Sequence, residues 1–359
     1  MKLLVVAGAR PNFMKIAPIL RALRNRPDAD TRLVHTGQHY DYDMSKVFFD
    51  ELEIPEPHHF LDVGSGSHAE QTAKVMMAIE KVYETEGPDA VVVVGDVNST
   101  MACAVTAKKL HIKVAHVEAG LRSRDWKMPE EVNRVVTDAV SDWLFVSEPS
   151  GVENLRAEGK PADAIHLVGN VMVDTLLWQA GHLKSEDGAV AAGLARPYTV
   201  VTLHRPSNVD DADSLRSIVE ALGEIGRDMP VVFPAHPRTR KKLEEFGLVE
   251  VLGDAARILP PLPYNSFLAL WKGADLVLTD SGGLQEETTA LGVPCFTVRE
   301  NTERPITVEM GTNTMVGTSK AGMLAAYDLF RRGERKKGRI PPLWDGKAAE
   351  RIVDILLRH

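Results

Sequence analysis

Three segments of the 359-residue chain each bring a carboxylate to the edge of an apolar run. They are Asp96 in Gly95-Asp96-Val97-Asn98-Ser99-Thr100, Glu118 in His116-Val117-Glu118-Ala119-Gly120-Leu121-Arg122, and Glu130 in Met128-Pro129-Glu130-Glu131-Val132-Asn133-Arg134. An acid at the end of a buried strand is costly unless it is paired or used. Each has a plain reading. Asp96 or Asn98 suits a helix N-cap, Arg122 is near enough in sequence to pair with Glu118, and Glu130 behind Pro129 is ordinary helix-start chemistry. Two consecutive strand–helix junctions nevertheless deliver three acids to one sheet edge. Carboxylates that converge raise one another's pKa, which suits acid–base work.

A second group of residues suits an anion. Leu276 to Asp280 reads as a buried strand that empties into Ser281-Gly282-Gly283, with a helix beginning at Leu284. The first N–H groups of a helix have no partner within it, and two glycines let a phosphate approach the backbone. A capped helix with Asp280 or Ser281 as N-cap is the plain reading. Gln285, Glu286 and Glu287 lie about one turn into that helix, from where a carboxylate could accept hydrogen bonds from the two hydroxyls of a ribose. His204 and His236 follow successive strands, Arg10 and Lys15 lie beyond the first strand, and Arg304 follows the strand after the Ser-Gly-Gly loop. Thr36-Gly37-Gln38-His39-Tyr40-Asp41 ends the second strand with polar and aromatic groups that fit a sugar or a simple turn. No GxGxxG, P-loop, HExxH or CxxC is present, so neither a redox cofactor, ATP nor a metal is indicated.

The elements that must position these residues alternate short apolar runs with amphipathic ones, the pattern of a parallel sheet covered by helices. Strands are predicted at 3–7, 31–35, 90–94, 112–117, 143–146 and 165–168, with helices at 13–25, 42–52, 68–86, 98–110, 130–141, 148–157 and 171–184. The pattern restarts with strands at 198–203, 230–234, 249–252, 275–279 and 294–298 and helices at 212–227, 238–246, 264–272 and 282–291. Residues 183–197 lose periodicity and read as a linker. The expected domains are therefore 1–182 and 197–344, with a C-terminal helix at 345–358 as a candidate to cross back onto the first. The fold class is α/β: two Rossmann-like, doubly wound domains facing a cleft, where such folds bind ligands.

Bulk composition agrees. Apolar residues make up 44% and charged residues 26%, a globular mix, and the net charge of −8 does not favour nucleic acid or an anionic membrane. No run approaches a membrane span. Two cysteines, Cys103 and Cys295, read as core thiols of a cytoplasmic protein.

Taken in order, the GxRPxxxK turn at Gly8–Lys15, GDxxST at Gly95–Thr100, HxEAGLR at His116–Arg122, PEExNR at Pro129–Arg134, His204-Arg205, SGGxQEE at Ser281–Glu287 and TERP at Thr302–Pro305 form a series. That series resembles the non-hydrolysing UDP-N-acetylglucosamine 2-epimerases across nearly the whole chain. The resemblance implies a GT-B-like pair of domains, a homodimer, no cofactor, and an isomerase converting UDP-GlcNAc to UDP-ManNAc through loss and return of UDP at a 2-acetamidoglucal. It assigns catalysis to Asp96, Glu118, Glu130 and His204. Substrate contacts fall to Arg10, Lys15, Phe267 (where uracil packs), Ser281, Gly282, Gly283, Glu287 and Arg304. Gln38, His39 and His236 are candidates for an allosteric or sugar loop, although the family's usual AQHR is replaced by Gly37-Gln38-His39-Tyr40. The GARPxF and TGQHYD segments also resemble epimerases of UDP-2,3-diacetamido-2,3-dideoxy-glucuronate, with Arg122 or Arg124 as candidates for the uronate carboxylate. A GT-B glycosyltransferase is the alternative from another class.

Overall fold

A computed structural model describes residues 1–8, 10–37, 49–183, 193 and 195–358. They form two compact units, Met1–Thr175 with Pro342–His359, and Leu176–Pro341.

Unit 1 is built on β1 (Lys2–Ala7), β2 (Asp30–His35), β3 (His59–Phe60), β4 (Ala90–Val94), β5 (Lys113–Val117), β6 (Trp143–Val146) and β7 (Ile165–Leu167). The order is β3-β2-β1-β4-β5-β6-β7, parallel throughout. Its helices are α1 (Arg10–Arg24), α2 (His68–Glu86), α3 (Asn98–Lys109), α4 (Pro129–Val140) and α5 (Pro149–Ala157), and α6 (Val171–His182) starts here and leaves it. Helices cover both faces, so β1 and β4 carry apolar residues without alternation, and Val91, Val92 and Val93 are wholly buried. Local chemistry sets the ends: Ser67 and Glu70 close a capping box on α2, and Gly87, in the left-handed conformation, stops it.

Unit 2 holds β8 (Thr199–Thr202), β9 (Val231–Pro234), β10 (Ala256–Leu259), β11 (Leu276–Thr279), β12 (Cys295–Thr297) and β13 (Asn313–Met315), ordered β10-β9-β8-β11-β12-β13 and again parallel. Its helices are α7 (Pro206–Val209), α8 (Ala212–Asp228), α9 (Pro237–Glu245), α10 (Val249–Leu252), α11 (Tyr264–Lys272), α12 (Gly282–Leu291), α13 (Pro305–Glu309) and α14 (Lys320–Arg331). Leu215, Ile218, Leu222 and Ile225 of α8 pack with Val231, Phe233, Leu276 and Leu278 in its core. The last helix, α15 (Ala348–Leu356), belongs to unit 1 and packs on α1. Asp174 accepts the N–H groups of Ala348 and Ala349 at its start (3.1 and 2.7 Å).

One predicted strand is wrong. Val249–Leu252 forms a helical turn, with Val249 and Val251 exposed and Leu252 buried against the core, and the strand comes later at Ala256–Leu259. The β-branched alternation was misleading because a single buried leucine anchors the turn. The division between units falls inside α6, whereas most of the 183–197 segment lies outside the described residues, as does most of the helix predicted at 42–52.

Candidate active site

Each sheet changes direction once, and the loops on either side of that point diverge to leave room for a ligand. In unit 1 the switch lies between β1 and β4, in unit 2 between β8 and β11.

At the first switch point, α1 sends Asn12 and Lys15 toward the end of β4. Asn12 Nδ2 donates to the Val94 carbonyl at 2.9 Å. Lys15, buried, donates through Nζ to Glu118 Oε2. Gly95 has φ +69° and lies directly against this pair, for a Cβ there would sit 2.8 Å from Lys15 Nζ. Only glycine accepts both the conformation and the contact. Glu118 itself has φ +73°, an unfavourable state for a non-glycine residue, and its N–H is fixed to the Phe145 carbonyl at 3.0 Å.

Asp96 caps no helix. The N-cap of α3 is Val97, with no side-chain bond, and neither Asp96 nor Asn98 fills the role expected of it. Instead Asp96 Oδ2 accepts from Arg134 Nε and Nη2 (3.0 and 2.6 Å), and Asn133 Nδ2 donates to the Asp96 carbonyl at 2.9 Å. Arg134 also donates to Glu131 at 2.9 Å, and Glu131 takes the backbone N–H groups of Ser123 and Arg124. Burial pushes the Glu131 carboxyl up, but these bonds outweigh it and hold it below the usual range. Glu130, the next residue toward the helix start, is exposed in the first turn of α4.

Arg122 is not the partner of Glu118. Its guanidinium binds Asp138 at 2.7 Å and Glu158 at 2.7 and 2.8 Å, with the side chain only 3% exposed. The long alkyl chain carries the charge away from Glu118, and a lysine from another element takes its place. Likewise the carboxylates do not simply crowd one another, because Asp96 and Glu118 each have their own cation.

At the second switch point, Asp280 is fully buried at the end of β11 and gathers the loop after β8. It accepts the N–H groups of His204 and Arg205 (3.0 to 3.2 Å), the Asn208 amide (3.1 Å) and, through Oδ1, His204 Nδ1 at 3.0 Å. Burial would raise its carboxyl, but the His204 bond and charge and the two N–H groups hold it low. With Nδ1 engaged, the 47% exposed imidazole of His204 keeps Nε2 for a ligand. Ser281, not Asp280, is the N-cap of α12, through a long 3.5 Å bond from Leu284 N–H.

Gly282 and Gly283 open α12. A Cβ on Gly282 would be 3.0 Å from Glu303 Oε1, whereas at Gly283 it would meet only Ser281 Oγ at 4.0 Å. Glu303 is held by Arg205 at 3.0 Å and Arg299 at 2.7 Å; although burial opposes ionisation, the neighbouring guanidiniums of Arg304, Arg299 and Arg205 keep it well below the carboxylate range. Arg304 is buried and pairs with Glu286 at 2.6 Å.

Glu287 is buried one turn into α12 and accepts from the Tyr264 hydroxyl at 2.9 Å. Burial raises its carboxyl to about 7, only partly offset by that bond and reinforced by Glu286. Phe267, half-buried, stands three residues beyond Tyr264 on the same side of α11. His236 is the exposed N-cap of α9 and accepts from Arg238 N–H at 3.3 Å. Arg10 begins α1, but its side chain, like Gln38 and His39, lies outside the described part of the structure.

Sequence reading missed Asp280's role as the support of His204, along with Tyr264 and Glu303. Tyr264 and Phe267 at helical spacing beside a half-buried face were the one signal; the Asp280–His204 and Glu303–Arg205 contacts join residues more than 70 positions apart.

Fold and site together define an α/β protein with paired carboxylates at one switch point and a Ser-Gly-Gly helix start at the other. Residues 21–357 match the family model described as UDP-N-acetylglucosamine 2-epimerase, and the chain belongs to that family of isomerases. The UDP-N-acetylglucosamine 2-epimerase of Methanocaldococcus jannaschii is 45% identical over 364 residues, covering 99% of each chain. Its crystal structure in complex with UDP-GlcNAc and UDP superposes with a TM-score of 0.90 over 100% of both chains. The UDP-2,3-diacetamido-2,3-dideoxy-D-glucuronate 2-epimerase of Pseudomonas aeruginosa is 43% identical over 363 residues and all of both chains. The Neisseria meningitidis UDP-GlcNAc 2-epimerase bound to UDP-GlcNAc is similar at 28% identity, with a TM-score of 0.91 over 100% of both chains.

Proposed function

We propose that the chain interconverts UDP-GlcNAc and UDP-ManNAc by eliminating UDP to a 2-acetamidoglucal and adding it back. The observation that carries this reading is the pairing of Glu118 with Lys15 beside Asp96 at the first switch point, in a chain of an epimerase family. The C2 hydrogen has no neighbouring carbonyl, so its removal must be coupled to loss of the leaving group. One carboxylate takes the C2 proton, the C–H electron pair becomes the C1=C2 bond, and the C1–O pair leaves on the diphosphate. Re-addition with a proton delivered to the other face inverts C2, which requires two acid–base groups. Asp96, Glu118 and Glu130 supply them. Negative charge gathers on the diphosphate, to which we assign the α12 N-terminus at Ser281, Gly282 and Gly283, with His204 and Arg10. Glu287 takes the ribose hydroxyls and Phe267 the uracil. Lys15 and Arg304 act by holding Glu118 and Glu286.

The identity to the Pseudomonas aeruginosa relative supports a second substrate, the diacetamido uronate. Arg124 is exposed and donates one bond to Asn154 at 2.8 Å, but Arg122 is already bound to both Asp138 and Glu158 and does not stand ready for a uronate carboxylate. That favours UDP-GlcNAc. A cytoplasmic homodimer serving polysaccharide synthesis completes the proposal, and sedimentation of the purified protein tests the dimer.

The deciding experiment is proton NMR with UDP-GlcNAc in deuterated water. UDP-ManNAc with deuterium at C2 of both sugars is the expected result. Turnover of the uronate alone would transfer the reading to the second substrate, and free sugar with UDP would make the chain a hydrolase.

A further inference from the structure

Behind the three carboxylates lies a pair of buried groups that no role yet explains. Asp138, late in α4, and His116, on β5, are both fully buried. Asp138 Oδ1 meets His116 Nδ1 at 2.6 Å, and the other ring nitrogen, Nε2, meets the Gly95 carbonyl at 2.8 Å. Asp138 Oδ2 accepts the N–H of Gly120 at 3.0 Å and Arg122 Nη2 at 2.7 Å. Gly95 immediately precedes Asp96, Gly120 follows Glu118 by two residues, and α4 begins at the turn that carries Glu130. One buried carboxylate thus fixes both catalytic turns to the helix that bears the third acid.

Those turns need an outside hold. Glu118 has φ +73°, which a non-glycine residue does not favour, and Gly95 and Gly120, at +69° and +81°, are glycines whose conformational freedom does not by itself fix the turns. A buried carboxylate is costly unless its oxygens are satisfied, and here they are satisfied by the two turns and the Arg122 clamp.

We infer that Asp138 and His116 are positioning residues, which set Asp96 and Glu118 in register with Glu130 without touching the substrate. This rests on the epimerase reading above. A ring nitrogen facing each partner is essential to the bridge. Glutamine at position 116 retains a donor near the Gly95 carbonyl but loses Asp138, whereas asparagine retains the Asp138 side and loses Gly95.

His116→Gln and His116→Asn are compared with the wild type for epimerisation, C2 deuterium exchange, UDP affinity and cooperative unfolding. The expected result is a fall in kcat of about 100-fold in both variants, the scale of a roughly 1 Å misplacement, with KM and UDP affinity changed less than about threefold. Asp138→Asn is expected to fall further, since it weakens both connections. Near-wild-type kcat in either folded position-116 variant overturns the inference, as does a loss confined to KM. Loss of cooperative unfolding and UDP binding in both position-116 variants overturns it too, by making His116 a residue of fold stability. A wild-type protein inert toward UDP-GlcNAc would remove the functional reading and this inference together, whereas an active wild type with active variants removes the inference alone.

Discussion

At the switch point of unit 1 two acids are met by cations, Asp96 by Arg134 and Glu118 by Lys15. At the switch point of unit 2 the cations are met by acids, Arg205 and Arg299 by Glu303 and Arg304 by Glu286, and the His204 ring is held by Asp280. The first arrangement keeps carboxylates ready as side chains. The second neutralises its arginines, so that on the proposed reading a diphosphate would meet chiefly backbone N–H groups and the outward face of His204. Chemistry in unit 1 is therefore expected to be sensitive to the functional group, and in unit 2 to the space above the backbone.

The contrast breaks most sharply at Glu118. Glu118→Gln is expected to lower kcat about 10³-fold while UDP affinity stays near wild type, as for loss of a general acid or base. The same change strands the buried Lys15 ammonium and should lower stability by about 3 kcal/mol, read by denaturant unfolding. Unchanged turnover would end the assignment. Next comes His204→Gln, with kcat reduced about 100-fold through lost stabilisation of the leaving diphosphate. A change in KM alone would make His204 a binding residue.

The glycines test the other half of the contrast. Gly283→Ala has room in the fold, and the better helix former should leave stability unchanged or improved by about 0.5 kcal/mol. If the turn holds a diphosphate, calorimetry should nevertheless show UDP affinity falling about tenfold, near 1.4 kcal/mol. A silent Gly283→Ala would reduce the turn to a helix cap. Gly282→Ala is expected to lose both affinity and stability, because its Cβ meets Glu303.

The smallest effect is a pH limb. Glu287 must be ionised to accept two ribose hydroxyls, so UDP affinity should weaken as pH falls through about 7. Tyr264→Phe removes the bond that favours the carboxylate and should move the limb to higher pH; Glu287→Gln should abolish it. The stability sign is the reverse of a paired acid. The folded carboxyl is raised from 4.5 to about 7, so the native state holds its proton more tightly, and Glu287 lowers stability progressively across that window and by a constant amount above it.

Much of this was legible because junction chemistry is local. Both glycines of the Ser-Gly-Gly turn, the buried valines of β4 and the order of strand and helix follow from spacing within about ten residues. What failed was partnership across the fold. Arg122 looked like Glu118's partner because it is four residues away, yet Lys15, 103 residues distant, holds it. The segment after Pro305 was read too little: Met323, Tyr327 and Phe330 of α14 do fall at helical spacing, and all three are buried. The three-residue strand β13, Asn313–Met315, has too little pattern to see.

The hold of Asp174 on the start of α15 has a consequence for synthesis. Unit 2, residues 176–341, lies wholly inside the span between the two parts of unit 1. On a ribosome unit 2 is complete in sequence before residues 348–356 have emerged to cover α1. Unit 1 is begun first and finished last, and until then the apolar side of α1 that α15 covers stands open to chaperones or to a wrong partner.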